Sequence, residues 1–399
     1  MIGFALTPEH KMVREMVRDF AAKEVAPYIR ENDEQSRFDR SLPGKMGALG
    51  MLGGPIPEQY GGAGLDYLSF GITCEELEYV DTTARTIVSV HVGLNSLTLF
   101  TWGSEEQKQR WLVPQARGEK LACFGLTEPA AGSDVAGMQS TARRDGDSYV
   151  LNGEKIWISL ADDADHFLFF AYTDKEKKYR GITAFVVERS TPGLTTAPIH
   201  GKMGLHAGST GSFSLMDARV PLANRLGEEG EGFTIAMSTL DNGRYGVASG
   251  AVGLIRACLD ASVRYAQTRT AFGIPIGQHQ LVKAMIAEMV ASRDAAELLC
   301  LRSGWMKNQG IPNTRETALA KWFATEAAER AAHNAIQIHG SYGYSNEYPV
   351  ERFYRNARVG TIYEGTSQIH QLLQADYALG YRQTKAPRCT LPPYGRESR

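Results

Sequence analysis

The sequence predicts a mainly α-helical protein with a β domain in the middle of the chain, and two observations support this fold class. Apolar residues recur every three to four positions up to about residue 117 and again after about residue 230, which is typical of amphipathic helices. Between them, short segments such as HFLFFAYT and GITAFVVE are rich in aromatic and β-branched residues, which is typical of strands. Because 399 residues exceed one ordinary core, we expect several domains. We place them at 1–120, 121–229 and 230–380, with a tail at 381–399.

The N-terminal zone begins with a clear helix start. Thr7 is a candidate N-cap, Pro8 suits the first helical position, and Val13 to Phe20 supplies an apolar face. The segment PIPEQYGGAGLD (55–66) predicts a turn-rich break, after which helical patterns resume.

In the middle zone, SYVLNGEKIWIS predicts two strand runs around an Asn-Gly turn. GEEGEGF (227–233) then leads back to helices. It superficially resembles a phosphate-binding glycine loop, but its glutamates would repel phosphate and the strand–loop–helix context is missing. We therefore interpret it as a connecting turn, and a nicotinamide-binding Rossmann site is not supported.

The C-terminal zone is the most strongly helical. LVKAMIAEMVASRDAAELL repeats apolar residues at helical spacing, and TALAKWFATEAAERAAHNAIQI is rich in good helix formers. The Pro-rich tail KAPRCTLPPYGRESR predicts no regular structure.

The composition argues against several classes of function. A formal net charge of −2 gives no reason to expect a nucleic acid or an anionic membrane as partner. No apolar run is expected to be long enough to span a membrane. The five scattered cysteines and unclustered histidines predict neither disulfides nor a metal site. Since MIGFALTPEH has no signal-peptide or transit-peptide pattern, we expect a cytoplasmic protein, or one from an organelle matrix if a transit peptide has been removed.

Four motifs carry candidate binding residues, and each has an ordinary structural alternative. GLTEPAAGSD (125–134) could form a nest of backbone amides for a polar ligand, or only a tight loop. Trp157 in KIWIS could be a cofactor wall or a core residue. Arg269 in RTAFGIPIGQHQ could be a surface helix end, and the glycines of QIHGSYGY could be a plain helix C-cap.

YEGTSQIH (363–370) places a lone carboxylate, Glu364, beside Gly365 and before a helix that Thr366 can cap. A lone loop glutamate is usually solvated. Either a solvated residue or a placed base fits this pattern alone.

The order and spacing of these motifs resemble the acyl-CoA dehydrogenase family over about residues 4–380. TEPAAGSDVAG, KIWIS, RTAFGIPIGQHQ, QIHGSYGY and YEGTSQIH stand in the family's order and at comparable separations. The resemblance implies an N-terminal helical domain, a middle β-barrel domain and a C-terminal four-helix bundle. One departure is Gly340-Ser341, where the family commonly has Gly-Gly.

The resemblance also implies FAD as cofactor and a homotetramer in which neighbouring subunits share the FAD sites. The residues at the family's FAD-contacting positions are Phe124, Leu126, Thr127, Ser133, Trp157, Ser159, Arg269, Phe272, Gln280, Gln337, Gly340, Thr366 and Gln368. Ser133 is also expected on the substrate side.

By the same resemblance, Glu364 is the catalytic base that removes the α proton of an acyl-CoA, while the β hydride passes to flavin N5. Some family members carry the base on an earlier helix, but Gly243 stands at that position here. Asp241, Arg244, Tyr363 and Gly365 match substrate-binding positions. Arg244 could instead be only a structural partner of a helix carboxylate.

Arg85 favours the glutaryl-CoA dehydrogenase branch of the family. That branch has an Arg at this position, a Ser four residues later and a Glu seven residues earlier, and this chain has Arg85, Ser89 and Glu78. An unpaired guanidinium in an apolar pocket would be costly, which argues for an anionic substrate end. The alternative is that Arg85 pairs with Asp81, one helical turn away.

The resemblance therefore predicts a dehydrogenase that forms a 2,3-enoyl-CoA from a dicarboxylyl-CoA, such as glutaryl-CoA or a substituted succinyl-CoA. It implies an electron-transferring flavoprotein as electron acceptor. The alternatives are a short-chain or cyclic monocarboxylic acyl-CoA dehydrogenase, or an oxidase or monooxygenase of the same fold. A nucleic-acid-binding relative is disfavoured by the near-zero net charge.

Overall fold

Helices fill both ends of the chain, and an eight-stranded sheet lies between them in sequence. The computed structural model describes residues 5–389. The predicted fold class, mainly α with a middle β domain, is confirmed. Residues 390–399 of the expected tail lie outside the described residues.

The first helix forms as the sequence predicts. The Thr7 side chain accepts a hydrogen bond from the His10 amide, Pro8 occupies the first turn, and Val13, Val17 and Phe20 are buried. The N-terminal helices are α1 (Pro8–Phe20), α2 (Ile29–Glu34), α3 (Leu42–Ala48), α4 (Tyr67–Val80), α5 (Thr82–Val88), α6 (Leu97–Trp102), α7 (Glu105–Gln107) and α8 (Val113–Ala116).

Helices α5 and α6 are joined without a break by a π-helical segment, Ser89–Ser96. Such segments are rare and are often found at functional sites. This segment and α5 are buried along their whole length, which places Arg85 and Ser89 in the interior.

The central sheet has the strand order β6-β7-β3-β2-β4-β5-β8, and β1 pairs in parallel with β4. The strands are β1 (Ala122–Gly125), β2 (Thr141–Asp145), β3 (Ser148–Ser159), β4 (His166–Tyr172), β5 (Ile182–Glu188), β6 (Leu194–Pro198), β7 (Thr210–Pro221) and β8 (Arg225–Leu226). The two segments HFLFFAYT and GITAFVVE form β4 and β5, as predicted.

The predicted Asn152-Gly153 turn is wrong, because β3 continues through it. The register with β7 shifts at this point, as in a β-bulge, and Gly153 has a φ of 150°. Asn152 instead donates to the Asp217 side chain of the neighbouring strand. The turn signal in the sequence thus marks a bulge.

Three long helices dominate the C-terminal zone, which starts with α9 (Gly232–Thr268). The hairpin β9 (Thr270–Ala271) and β10 (Ile274–Pro275) follows, and then α10 (Gln280–Asn308), α11 (Thr314–His339), α12 (Val350–Gly360) and α13 (Ser367–Ala378).

Helix α9 also corrects the expectation that no apolar run reaches membrane-spanning length. An 18-residue window of α9 has a mean hydropathy of 1.3, enough by length and composition to cross a membrane, but 83% of that window is buried within the fold. A buried core helix has the same composition, so α9 is weak evidence for a membrane span.

Glycines let α9 lie close to α4. A Cβ on Gly253 would overlap the Glu75 carbonyl, and a Cβ on Gly250 would overlap the Glu78 carboxylate. The close packing places Glu78 and Arg85 against α9, within the protein interior.

Candidate active site

The candidate catalytic loop joins α12 to α13 and holds Glu364 in an unusual backbone conformation. Glu364 has a φ of 53° and Gly365 a φ of 97°. The left-handed region is uncommon for a residue other than glycine, and such strain is concentrated at functional sites. Thr366 then caps α13 by accepting a hydrogen bond from the Ile369 amide, as predicted.

Two buried cations hold the carbonyl groups of this loop. Arg244 Nε on α9 donates to the Glu364 carbonyl at 3.1 Å, and Lys321 Nζ on α11 donates to the Gly365 carbonyl at 2.7 Å. Charge-assisted hydrogen bonds of this kind are roughly twice as strong as neutral ones. The strained loop is therefore fixed by two long helices.

The carboxylate of Glu364 is protected from solvent although the residue as a whole is partly exposed. Its Oε2 atom is buried and makes no hydrogen bond within residues 5–389. Burial raises the pKa of Glu364 to about 7, against the opposing effect of the nearby cations Arg85, Lys321 and Arg244. A carboxylate in this state can accept a proton near neutral pH, as a general base must.

Gly243 on α9 makes room for this carboxylate. A Cβ at Gly243 would overlap Glu364 Oε2 and lie 2.5 Å from Leu94 Cδ2. A side chain at position 243 thus has no room while Glu364 is in its present position.

Asp241 and Arg244 are engaged with the protein itself. Asp241 accepts from Arg244 Nη1 at 3.1 Å and from the Thr314 hydroxyl at 2.6 Å. Arg244 therefore has the structural role that the sequence left open, since it holds both a helix carboxylate and the Glu364 carbonyl. A substrate contact by either residue stays a prediction.

Arg85 is 1% exposed and lies in a closed set of polar partners. Its Nε bonds Glu78 at 2.5 Å, its Nη1 donates to Ser89 Oγ at 2.9 Å, and its Nη2 donates to the Tyr363 hydroxyl. Tyr363 directly precedes Glu364, so the guanidinium is linked to the candidate catalytic loop.

The Asp81 alternative for Arg85 is wrong. Asp81 instead pairs with Arg352 at 2.9 Å and accepts from Asn356. The idea that Arg85 is unpaired is also wrong, because Glu78 neutralises it. The sequence could not separate these cases, since both carboxylates stand within seven residues of Arg85.

The first part of the expected flavin-binding set lies around the end of β1 and the end of β3. The Ile156 amide donates to the Thr127 carbonyl at 3.0 Å, which joins the loop after β1 to β3. Phe124 and Leu126 are buried, and the Phe124 ring packs on Phe170. Trp157 is 60% exposed with a φ of 63°, so it is no core residue.

The remaining two members of this part differ in exposure. Ser133 is exposed in the loop that follows β1. Ser159 is half-buried and pairs with Thr210 across the sheet.

A buried ion pair under this region was missed from the sequence. Lys155 Nζ donates to Glu128 at 2.8 Å and to the Leu126 carbonyl at 3.3 Å, and the Glu128 carboxylate also accepts from the amides of Gln139 and Ser140. Burial lowers the pKa of Lys155 to about 8. The pair anchors the loop that is expected to border the flavin.

The second part of the expected flavin-binding set is exposed and lies around the β9–β10 hairpin, the start of α10 and the end of α11. The Arg269 guanidinium lies 6.0 Å from the Tyr342 ring, and Phe272 is 96% exposed. The exposed members of this part are Arg269, Phe272, Gln280, Gln337 and Gly340. Completion of a neighbouring subunit's site by these residues stays a prediction.

Thr366 and Gln368 line a pocket of about 420 Å³ between α11, α12 and the start of α13, together with residues such as Arg330 and Arg358. The pocket is also lined by Glu326 and Glu329, and Glu329 pairs with Arg358 at 3.0 Å, so its arginines are partly neutralised. The exposed Trp157, the anchored loop after β1 and the hydroxyl and amide groups of this pocket are chemically suited to an aromatic ring system joined to a diphosphate. The residues present thus fit FAD.

Lys321 was also missed, although the sequence carried a signal. Lys321 shares a helical stripe with the buried residues Thr317, Ala318, Ala324 and Ala328. A charge on an apolar stripe is a buried charge that needs a partner.

Comparisons with known proteins show the family to which the chain belongs. The models of the acyl-CoA dehydrogenase N-terminal, middle and C-terminal domains match residues 7–119, 123–218 and 230–379. The chain is 44% identical to the rat mitochondrial short-chain specific acyl-CoA dehydrogenase over 374 residues, covering 94% of this chain and 91% of that protein.

Two solved structures show the same fold. Butyryl-CoA dehydrogenase from Megasphaera elsdenii is 40% identical with a TM-score of 0.93, covering 94% of this chain and 100% of that one. A glutaryl-CoA dehydrogenase in complex with glutaryl-CoA is also 40% identical with a TM-score of 0.93, covering 97% and 99%. The chain therefore belongs to the acyl-CoA dehydrogenase family of FAD-dependent oxidoreductases.

Proposed function

We propose that this acyl-CoA dehydrogenase uses Glu364 to remove the α proton of a dicarboxylyl-CoA, such as glutaryl-CoA or a substituted succinyl-CoA, and forms the 2,3-enoyl-CoA. The base assignment rests on the buried, unpartnered Oε2 atom of Glu364. The substrate assignment rests on the buried guanidinium of Arg85 beside the same loop.

The chain's own residues have distinct parts in this reaction. Glu364 accepts the α proton on its carboxylate, whose raised pKa makes it a stronger base than an exposed glutamate. The Glu364 backbone N–H is the proposed donor to the thioester oxygen, where negative charge develops. Arg244 and Lys321 keep the loop in place. FAD, when bound, accepts the hydride from the β carbon.

FAD would be held by the residues already placed near the sheet and the 420 Å³ pocket. Thr127 and Trp157 would border its ring, and Thr366 and Gln368 would make further contacts with it. The exposed loop around Phe272 supports completion of the site by a second copy of the chain and hence a homotetramer.

The case for a dicarboxylate comes from the Arg85 cluster. Two hydroxyl groups, of Ser89 and Tyr363, share the guanidinium with Glu78. A substrate carboxylate could replace a neutral hydroxyl partner and gain a charge-assisted bond. The solved glutaryl-CoA dehydrogenase complex, 40% identical, supports this class of substrate.

One observation favours the second candidate, a short-chain or cyclic monocarboxylic acyl-CoA. Glu78 already neutralises Arg85 at 2.5 Å, so the cluster carries no net charge that demands an anion. The similarity to short-chain and butyryl-CoA dehydrogenases supports the same candidate.

The deciding experiment compares glutaryl-CoA, butyryl-CoA and hexanoyl-CoA by anaerobic flavin bleaching in the wild type and in Arg85→Ala. Loss of one charge-assisted contact should cost about 1.5–3 kcal/mol for glutaryl-CoA alone. Arg256→Ala is the matched control, because Arg256 is a largely buried arginine on α9 that pairs with Glu75 and Glu76 of α4, away from Tyr363. It should leave the substrate preference unchanged.

Preference of the wild type for monocarboxylic thioesters, or an equal loss for all three substrates in Arg85→Ala, would contradict the dicarboxylate assignment. A short-chain acyl-CoA dehydrogenase would then remain. The base assignment would be untouched by either result.

We infer that electrons leave to an electron-transferring flavoprotein. A chain 42% identical with a TM-score of 0.93 comes from a structural study of such a flavoprotein from Acidaminococcus fermentans. An oxidase remains the alternative, because a prolyl acyl carrier protein oxidase is 34% identical with a TM-score of 0.91. Stopped-flow reoxidation of the reduced enzyme by O₂ and by an electron carrier separates the two.

A cytoplasmic or organelle-matrix location is likewise our inference. It is supported by relatives from Bacillus subtilis and by relatives named as mitochondrial.

A further inference from the structure

We propose that Lys321 is a positioning residue that holds Glu364 in its proton-accepting conformation and favours its ionised form. The proposal rests on Glu364 being the base. It concerns a residue that belongs to neither the expected flavin-binding nor the expected substrate-binding set.

The first observation is the burial of Lys321 without an obvious structural need. Its side chain is fully buried on an alanine-rich face of α11. Burying an ammonium group is costly unless it is paired and hydrogen-bonded. An alanine or methionine would fill this face at no such cost, so the charge needs a specific explanation.

The second observation is where the ammonium group is held. Nζ donates to the Gly365 carbonyl at 2.7 Å, and the adjacent Glu364 carbonyl accepts from Arg244 at 3.1 Å. Two consecutive carbonyls in a left-handed turn are thus each fixed by a buried cation. The direction of the Glu364 side chain depends on this turn, because side-chain direction follows backbone conformation.

The third observation is the electrostatic environment. The charges of Glu364 and Lys321 attract each other. Ionised Glu364 therefore favours protonated Lys321, and protonated Lys321 favours ionised Glu364. Burial lowers the pKa of Lys321 to about 7, an effect that Glu364 opposes. The other titratable and charged groups that face this pair are Arg85 on α5, Arg244 on α9, Glu326 on α11, His370 on α13, Cys74 on α4 and Tyr363 on the loop itself.

The arrangement therefore predicts two separable effects of Lys321. Its hydrogen bond to Gly365 sets the geometry of the base, which determines the limiting rate of flavin reduction at high pH. Its charge stabilises the carboxylate, which determines the pH at which that rate falls.

Two variants separate these effects, each measured as the pH profile of anaerobic flavin reduction in the FAD-loaded enzyme. Lys321→Met removes the donor and the charge. It should lower the limiting rate about tenfold or more and move the acid limb upward by about one pH unit. Lys321→Gln offers an amide donor without charge, so it should move the acid limb similarly while losing less of the limiting rate.

Lys307→Met is the matched control. Lys307 is another buried lysine and lies on α10. Burial lowers the pKa of Lys307 to about 8, and its ammonium group donates to Asn242 rather than to the catalytic loop. Its removal should leave the acid limb in place. FAD content and far-UV circular dichroism check that each variant is folded.

A wild-type profile in both Lys321 variants would overturn the proposal, as would a loss of FAD in Lys321→Gln with no shift of the acid limb. Glu364→Gln distinguishes this failure from failure of the base assignment. Substantial flavin reduction in Glu364→Gln removes the base from this loop. Inactive Glu364→Gln with unaltered Lys321 variants rejects Lys321 alone.

Discussion

Two buried carboxylates face buried lysines in this protein, yet their pKa values move in opposite directions. Glu128 lies beside Lys155 under the loop after β1, and Glu364 lies near Lys321 between α12 and α13. Burial on its own would raise the pKa of both. The pKa of Glu128 is nevertheless lowered, whereas that of Glu364 is raised to about 7.

The difference is in how closely the lysine charge approaches each carboxylate and in the hydrogen bonds that each carboxylate accepts. Glu128 accepts from Lys155 Nζ at 2.8 Å and from the amides of Gln139 and Ser140, so both of its oxygens are satisfied. Glu364 Oε2 has no such partner within residues 5–389, and Lys321 donates to the next carbonyl instead of to the carboxylate. A satisfied carboxylate is held ionised as a structural anchor, whereas an unsatisfied one stays basic.

The largest effect that tests this comparison is the loss of the proton acceptor. Glu364→Gln should keep FAD and bind acyl-CoA but lose flavin reduction by about 10²–10⁴-fold, because the isosteric amide cannot accept the proton. Anaerobic stopped-flow bleaching of the flavin measures this. Retention of more than about a tenth of the rate would move the base elsewhere.

A smaller effect should follow from breaking the anchored pair. Lys155→Met leaves the Glu128 carboxylate buried without its cation, a change that typically costs about 3–5 kcal/mol of stability. Urea denaturation of the FAD-loaded enzyme measures the loss.

Lys120→Met is the matched control for this second prediction, because Lys120 pairs with Asp165 at 3.0 Å on a half-exposed part of the surface. Surface pairs contribute about 0–1 kcal/mol. Equal losses in the two variants would show that Glu128 and Lys155 do not form the anchor inferred here.

The sequence predicted the fold class because helices and strands leave short-range patterns. Local pattern alone left Glu364 open between a solvated residue and a placed base. Only the family resemblance assigned it as the base, and that assignment stays a prediction. Helical periodicity, strand-like runs and the Thr366 cap are short-range signals, and they formed as expected. The Asn152-Gly153 bulge was missed because a turn and a bulge use the same residues and differ only in strand pairing.

The partners of the charged residues could not be predicted, because they depend on contacts distant in sequence. Arg352 takes Asp81 away from Arg85, and it comes from a helix 271 residues later in the chain. Lys321 and Gly365 are 44 residues apart. Only packing of the helices around α9 decides which of several possible ion pairs forms.

The smallest expected effect is a gain in stability when the Glu364 carboxylate is removed, whereas the first prediction is a loss of activity. The pKa of Glu364 is raised from 4.5 to about 7 in the folded protein, so the folded state binds more protons than the unfolded state between these pH values. Stability therefore falls as pH rises from about 4.5 to 7, and above pH 7 the ionised carboxylate costs its full amount. Removing it should stabilise the protein there.

Glu364→Gln should consequently be more stable than the wild type at pH 8, by on the order of 1–3 kcal/mol, and the gain should vanish toward pH 4.5. Glu128→Gln should behave in the reverse way, because its lowered pKa contributes stability that is present above the unfolded pKa and is lost as pH falls. Urea denaturation of both FAD-loaded variants at pH 5 and pH 8 measures the two trends. If both substitutions were destabilising at pH 8, Glu364 would be a structural anchor like Glu128, and its basicity would need another cause.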